Sequence, residues 1–132
     1  MKVLVCDKTE KECIDQMRAA GLTVDTQFDI TPDQLLTVLP AYEVVVVRSR
    51  TKIRQPLIDV CPDLKLIVRG GVGLDTIDVE YARNKGIAVK NTPRASSASV
   101  AELAIGYLFM LPRSLYKASS GMKAEKWDKK LF

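Results

Sequence analysis

Two rhythms of apolar and polar residues run along this chain: short β-branched runs, and longer stretches with helical period. Val3 to Cys6 predicts a first strand, and Glu10 to Ala20 a helix closed by Gly21. Leu22 to Asp25 predicts a second strand. Thr31-Pro32-Asp33-Gln34 then has the form of a helix start, with Pro at the first position and a Thr…Gln capping box. Val44 to Val47 is β-branched throughout, as expected of a strand buried on both faces of a parallel sheet. A short helix from Gln55 to Val60, a strand from Leu64 to Val68, a helix from Asp78 to Lys85 capped by Gly86, and a strand from Ile87 to Val89 follow. Five strands with helical connections make a βαβ progression. The expected fold is α/β, a flavodoxin-like parallel five-stranded sheet with helices on both faces.

The pattern changes after Pro93. Arg94 to Ser99 is small and polar, and Ser99-Val100-Ala101-Glu102 has the form of another capping box. The helix it predicts, Val100 to about Ser120, is apolar almost all round and needs burial on several sides. Pro112 should kink or divide it. Trp127, Leu131 and Phe132 then lack an evident packing partner. Residues 1–95 therefore predict one domain, and 96–132 a further segment that this domain does not obviously bury.

Composition narrows the chemistry. Six basic and two acidic residues between Arg113 and Lys130 supply the whole of the +4 net charge, so the excess belongs to that segment. No nucleic-acid motif accompanies it. No run approaches the roughly 20 apolar residues of a membrane span, and the N-terminus lacks the layout of a signal peptide, so a cytoplasmic protein is expected, with no nucleic acid or membrane as partner. Cys6, Cys13 and Cys61 form no CxxC pair and there is no histidine, so no metal site is expected. The missing histidine also removes the side chain best suited to proton transfer near neutral pH.

Ligands of open parallel sheets bind beyond the carboxyl ends of the strands. Here the third strand runs into Arg48-Ser49-Arg50-Thr51-Lys52, the fourth into Arg69-Gly70-Gly71-Val72-Gly73, and the fifth into Lys90-Asn91-Thr92-Pro93. Guanidinium groups, hydroxyls and glycine amides on one edge suit carboxylate or phosphate oxygens. The plainer reading is that Arg48, Arg50 and Lys52 simply face water. Gly71-Val72-Gly73 resembles the start of a dinucleotide fingerprint, but Thr76 holds the third glycine position and Asp75 and Asp78 add negative charge, so it does not fit a dinucleotide pyrophosphate.

VRSRTKI (47–53), VRGGVGLDTIDVEYARNKGIAVKNTP (68–93) and SVAELAIGYLFMLPR (99–113), in this order, resemble the D-isomer-specific 2-hydroxyacid dehydrogenase family, and within it the D-3-phosphoglycerate dehydrogenases of serine biosynthesis. The resemblance implies an NAD-dependent oxidoreductase of two domains, in which this chain is the substrate-binding part and a helix crosses into an NAD-binding Rossmann domain. By position, Gly70, Gly71 and Val72 would hold a substrate carboxylate through backbone groups. Arg48 and Arg69 would meet a phosphate, with Ser49 and Lys52 nearby and Ser96 lining the same cleft. Val72 and Val100 would approach the nicotinamide; Val72 departs from relatives with threonine there, which removes a hydroxyl contact. The family's catalytic arginine, glutamate and histidine match nothing here, so no catalytic residue is expected and the chain alone should not turn over. A homodimer or higher homo-oligomer through the C-terminal helix and the missing domain is expected.

Two other functions compete. A receiver-like phosphoacceptor would use Asp7 and Lys90, but Arg48 stands where its acceptor carboxylate belongs. A stand-alone anion-binding or self-associating module without turnover would use the same basic strand ends and the bare helix.

Overall fold

The structure, a computed structural model, describes residues 1–127. They form two compact units, Met1–Ala95 and the segment beginning at Ser96. In the first unit, β1 (Lys2–Val5), α1 (Lys11–Ala19), β2 (Thr23–Thr26), α2 (Pro32–Val38), β3 (Val44–Val47), α3 (Gln55–Asp59), β4 (Leu66–Arg69), α4 (Val79–Asn84) and β5 (Ala88–Asn91) alternate. A 3-10 turn at Leu39–Ala41 follows α2. All pairings are parallel and the order is β2-β1-β3-β4-β5, the flavodoxin-like sheet expected from the pattern.

Period-2 alternation divides the sheet between two cores. Leu4, Cys6, Val45, Val47 and Ile67 point toward the larger one, with Leu35 of α2, Leu57 and Ile58 of α3, and Ala82 of α4. Val3, Val5 and Val44 point to the opposite face, beside Val24 of β2 and packed with Ile14 of α1. Val44 to Val47 thus serves both faces, and only Val46 is half-buried.

Local signals hold where one residue type is required. Gly21 and Gly86 follow α1 and α4 at φ of 83° and 79°, a region costly for any residue with a Cβ. Thr31 Oγ1 accepts from the Gln34 N–H while Gln34 Oε1 accepts from the Thr31 N–H, completing the capping box.

In the second unit, α5 (Ser97–Met110) and α6 (Leu115–Lys123) are separated at Pro112, as expected. The start of α5 corrects the sequence reading. The Val100 N–H donates to the Ser96 carbonyl, so the helix begins well before Ser99. The expected Ser99–Glu102 box therefore does not form, because Ser99 already lies inside the helix. Neither α5 nor α6 has a buried residue, and Trp127 is exposed. Leu131 and Phe132 lie outside the described residues.

Candidate functional site

The β3–β4–β5 register aligns Val47 with Arg69 and Arg69 with Asn91. The chain therefore leaves three neighbouring strands at one level, which brings Arg48, Gly70 and Thr92 to a single edge. Arg48 and Ser49 are exposed there, while Arg69 is half-buried.

One buried carboxylate shapes the turn after β3. Asp7, just beyond β1 and 4% exposed, accepts from the Arg48 N–H (2.5 Å), the Thr51 N–H (3.2 Å), the Thr51 hydroxyl (2.8 Å) and Arg50 Nε (3.1 Å). Burial by itself would push the Asp7 carboxyl up. The bonds from Arg48, Thr51 and Arg50 outweigh it and hold the carboxyl below its ordinary value. Arg50 also donates to the carbonyls of Cys6 (2.8 Å) and Phe28. Arg50 thus acts as a staple: the fold holds its guanidinium although half of the side chain stays exposed.

Arg48 and Arg69 stand differently. Among the described residues neither is paired with a carboxylate. Arg48 donates to the Lys8 carbonyl (3.1 Å), and Arg69 Nη2 to Ser49 Oγ (3.3 Å). Arg69 Nε is buried without any hydrogen-bond partner, an arrangement that costs free energy unless an acceptor arrives. Both arginines lie along the glycine pair. A Cβ on Gly70 would sit 3.3 Å from Arg48 Cγ, and one on Gly71 2.7 Å from Arg69 Cζ.

The amides are more sharply divided than expected. The N–H of Gly70 donates to the Val47 carbonyl (2.8 Å) and that of Gly71 to the Arg69 carbonyl (2.9 Å), so neither N–H is free for a ligand. Among the described residues the N–H groups of Val72, Gly73 and Leu74 have no intrachain acceptor. The Thr92 N–H (3.1 Å) and the Asn91 side-chain amide (2.5 Å) hold the carbonyls of Gly71 and Val72. Exposed donors therefore begin at Val72, itself 48% exposed.

Lys52 does not join this group. It lines an apolar pocket with Leu35 and Leu57, and not the depression of about 500 Å³ lined by Asp7, Lys8, Asp29, Arg48 and Ser49; Arg50 borders both. Ser96 precedes the first turn of α5 without capping it, and Val100 lies in the next turn, exposed; both belong to the second unit. The Gly71–Gly73 loop opens no helix, since α4 starts at Val79 and the Asp78 carboxylate is taken by Arg54 and the Gln55 N–H. The sequence offers Asp7 only as a phosphoacceptor, and in the fold four donors occupy it. Asn91 and Thr51 were missed; an acid directly after β1 facing a basic strand end was the available signal.

The model of the D-isomer specific 2-hydroxyacid dehydrogenase catalytic domain matches residues 3–126. The chain is 39% identical over its full length to D-3-phosphoglycerate dehydrogenase of Archaeoglobus fulgidus, of which it covers 25%. It is 40% identical over 129 residues to hydroxypyruvate reductase of Thermotoga maritima, covering 42% of it. Among solved structures, a protein of Pyrococcus horikoshii superposes at TM-score 0.81 with 26% identity, over 96% of this chain and 38% of that one. NAD+-bound 3-phosphoglycerate dehydrogenase of Entamoeba histolytica does so at 0.71 with 30% identity, over 83% and 38%. The chain thus spans a quarter to two-fifths of these curated relatives, and by the family model it belongs to the D-isomer specific 2-hydroxyacid dehydrogenase family.

Proposed function

We propose that this chain is the substrate-binding part of an NAD-dependent oxidoreductase acting on the CH–OH group of a D-2-hydroxy acid, with 3-phosphoglycerate as its substrate. The observation that carries the reading is Arg69: an unpaired guanidinium with a buried, unpartnered Nε, beside exposed amides and a second unpaired arginine. Arg48 and Arg69 would take the phosphate, and the Val72 N–H a carboxylate oxygen. Ser49 orients Arg69 through its hydroxyl.

When bound, the nicotinamide of NAD supplies the hydride acceptor. Val72, and Val100 from the second unit, would face its ring; both are exposed and apolar. The Gly71–Gly73 loop does not suit the pyrophosphate, because no helix N-terminus backs it and Asp75 and Asp78 stand beside it. A Rossmann domain following the second unit would hold that part and bring the acid–base groups, with residues 96–132 as the crossing. Residues 1–132 alone would bind without turning over. Exposed Val100, Leu103, Leu108 and Phe109 on α5 favour burial against that domain or a second copy.

The test is NADH formation by the full-length protein. D-3-phosphoglycerate should support it and the L-isomer should not. Absence of NADH with every D-2-hydroxy acid tried would remove the reading. Phosphoglycerate binding by residues 1–132, in a full-length protein without activity, would favour the anion-binding module instead.

A further inference from the structure

A second concavity lies on the α2 side of the same unit. It encloses about 440 Å³, within the range of small-molecule pockets. Buried Leu35 of α2 and Leu57 of α3 form its floor, and exposed Leu36 one wall. The opposite wall is the segment after β3, which contributes Arg50, Lys52 and Arg54.

The three cations are not equivalent. Arg50 is held by Asp7 and the carbonyls of Cys6 and Phe28. Arg54 donates to the Asp78 carboxylate (2.7 Å) and the Asp75 carbonyl (2.8 Å). Lys52 makes no ion pair or hydrogen bond among the described residues, and no acidic side chain lines the pocket. The two arginines hold the wall in place, and Lys52 leaves one uncompensated positive charge at the rim of an apolar space.

We propose that this pocket is a ligand site separate from the Arg48 edge, and that it takes an aliphatic carboxylate of medium chain length. The tail lies on Leu35, Leu36 and Leu57, and the carboxylate meets the Lys52 ammonium. Burial of the tail supplies the affinity, and the head group fixes its direction. A compact polar acid such as phosphoglycerate has no tail to place there. The site therefore selects a different chemical class from the one proposed for the Arg48 edge.

Octanoate titrated into the isotopically labelled 132-residue chain, followed by amide NMR, tests this. Saturable shifts should appear at Leu36, Thr51, Lys52 and Leu57, and acetate, lacking the tail, should not reproduce them. Lys52→Glu should weaken octanoate about tenfold or more, the weight of one charged contact. Leu36→Asp should abolish binding. Both positions are exposed, so unchanged melting temperatures would show that the fold survives. Arg48→Ala should leave octanoate affinity unchanged, which keeps this test independent of the proposed dehydrogenase function. Shifts confined to the apolar face of α5, or binding that survives Leu36→Asp, would overturn the proposal. So would acetate acting as well as octanoate.

Discussion

The N–H of Arg48 donates to the Asp7 carboxylate at 2.5 Å, across 41 residues of sequence. One acid at the end of β1 thus sets the course of the chain leaving β3, and through it the position of the Arg48 side chain at the edge of the sheet. Asp7→Asn removes the charge, leaving Arg50 Nε without its carboxylate and the Thr51 and Arg48 donors with a weaker acceptor. The expected loss is about 2–3 kcal/mol, the value of hydrogen bonds to a buried charged group. Urea denaturation at neutral pH measures it, and an unchanged midpoint would contradict the role given to Asp7.

The same carboxylate makes the fold acid-sensitive. Asp7 is held below its ordinary value of 3.8 in the folded protein, so the unfolded chain takes up its proton first as pH falls. Its contribution is fully present above 3.8 and drains away as pH drops through the lower, folded value. Wild type should lose stability through this window, and Asp7→Asn should lose less over the same interval. Urea midpoints measured between neutral pH and pH about 3 compare the two slopes; parallel slopes would count against it.

Arg48 and Arg50 stand two residues apart and should fail in opposite ways. Arg50→Ala removes the ion pair to Asp7 and three carbonyl contacts, and should cost about 1–2 kcal/mol of stability, modest because the side chain is half-exposed. Arg48→Ala gives up one bond to the Lys8 carbonyl and should leave stability within about 0.5 kcal/mol. In the full-length protein it should raise KM for a phosphorylated hydroxy acid about tenfold or more. Melting curves and steady-state kinetics on the pair separate the roles. An unchanged KM would remove phosphate recognition from Arg48.

Much of this molecule is legible in its residue pattern because the responsible interactions are local. Thr31 and Gln34 are three residues apart, Gly21 and Gly86 answer a backbone angle, and four consecutive valines suit no place better than the middle of a parallel sheet. Arg48, Arg50 and Lys52 could not be told apart in that way. Their directions follow from Asp7, which lies more than forty residues upstream, and Lys52 ends on the pocket that faces α2. The amides of Gly70 and Gly71 looked free for a similar reason. Their acceptors are the carbonyls of Val47, on the neighbouring strand, and of Arg69, in a turn no motif announces. The start of α5 was misplaced because several short serines compete to open one helix, and propensity does not choose among them.

The cysteines should divide by burial. Burial pushes the Cys6 thiol up to about 12, with the Asp7 charge adding to the effect and Arg50 opposing it; burial alone lifts Cys61 to about 11. Only the thiolate attacks an aromatic disulfide reagent. Residues 1–132, natively folded near pH 8, should therefore titrate one fast thiol, exposed Cys13, and release the other two on denaturation. Three fast thiols would mean that the core around β1 and α3 opens readily.

Gly71 is where backbone and site requirements meet. Its φ of 157° lies in a region that residues with a side chain rarely adopt, and an added Cβ would fall 2.7 Å from Arg69 Cζ. Gly71→Ala must either leave that φ or displace the guanidinium. The first should cost about 1–3 kcal/mol, the usual value of a strained backbone position. The second would break the Arg69–Ser49 contact and move the cation away from the Val72 amide. Gly70→Ala is the control: its Cβ would meet Arg48 Cγ at 3.3 Å, where a small shift of a flexible side chain suffices. Gly71→Ala should therefore lower the melting temperature and weaken phosphoglycerate binding together, whereas Gly70→Ala should leave stability nearly intact. Equal effects from the two substitutions would show that the φ of Gly71 is not the constraint.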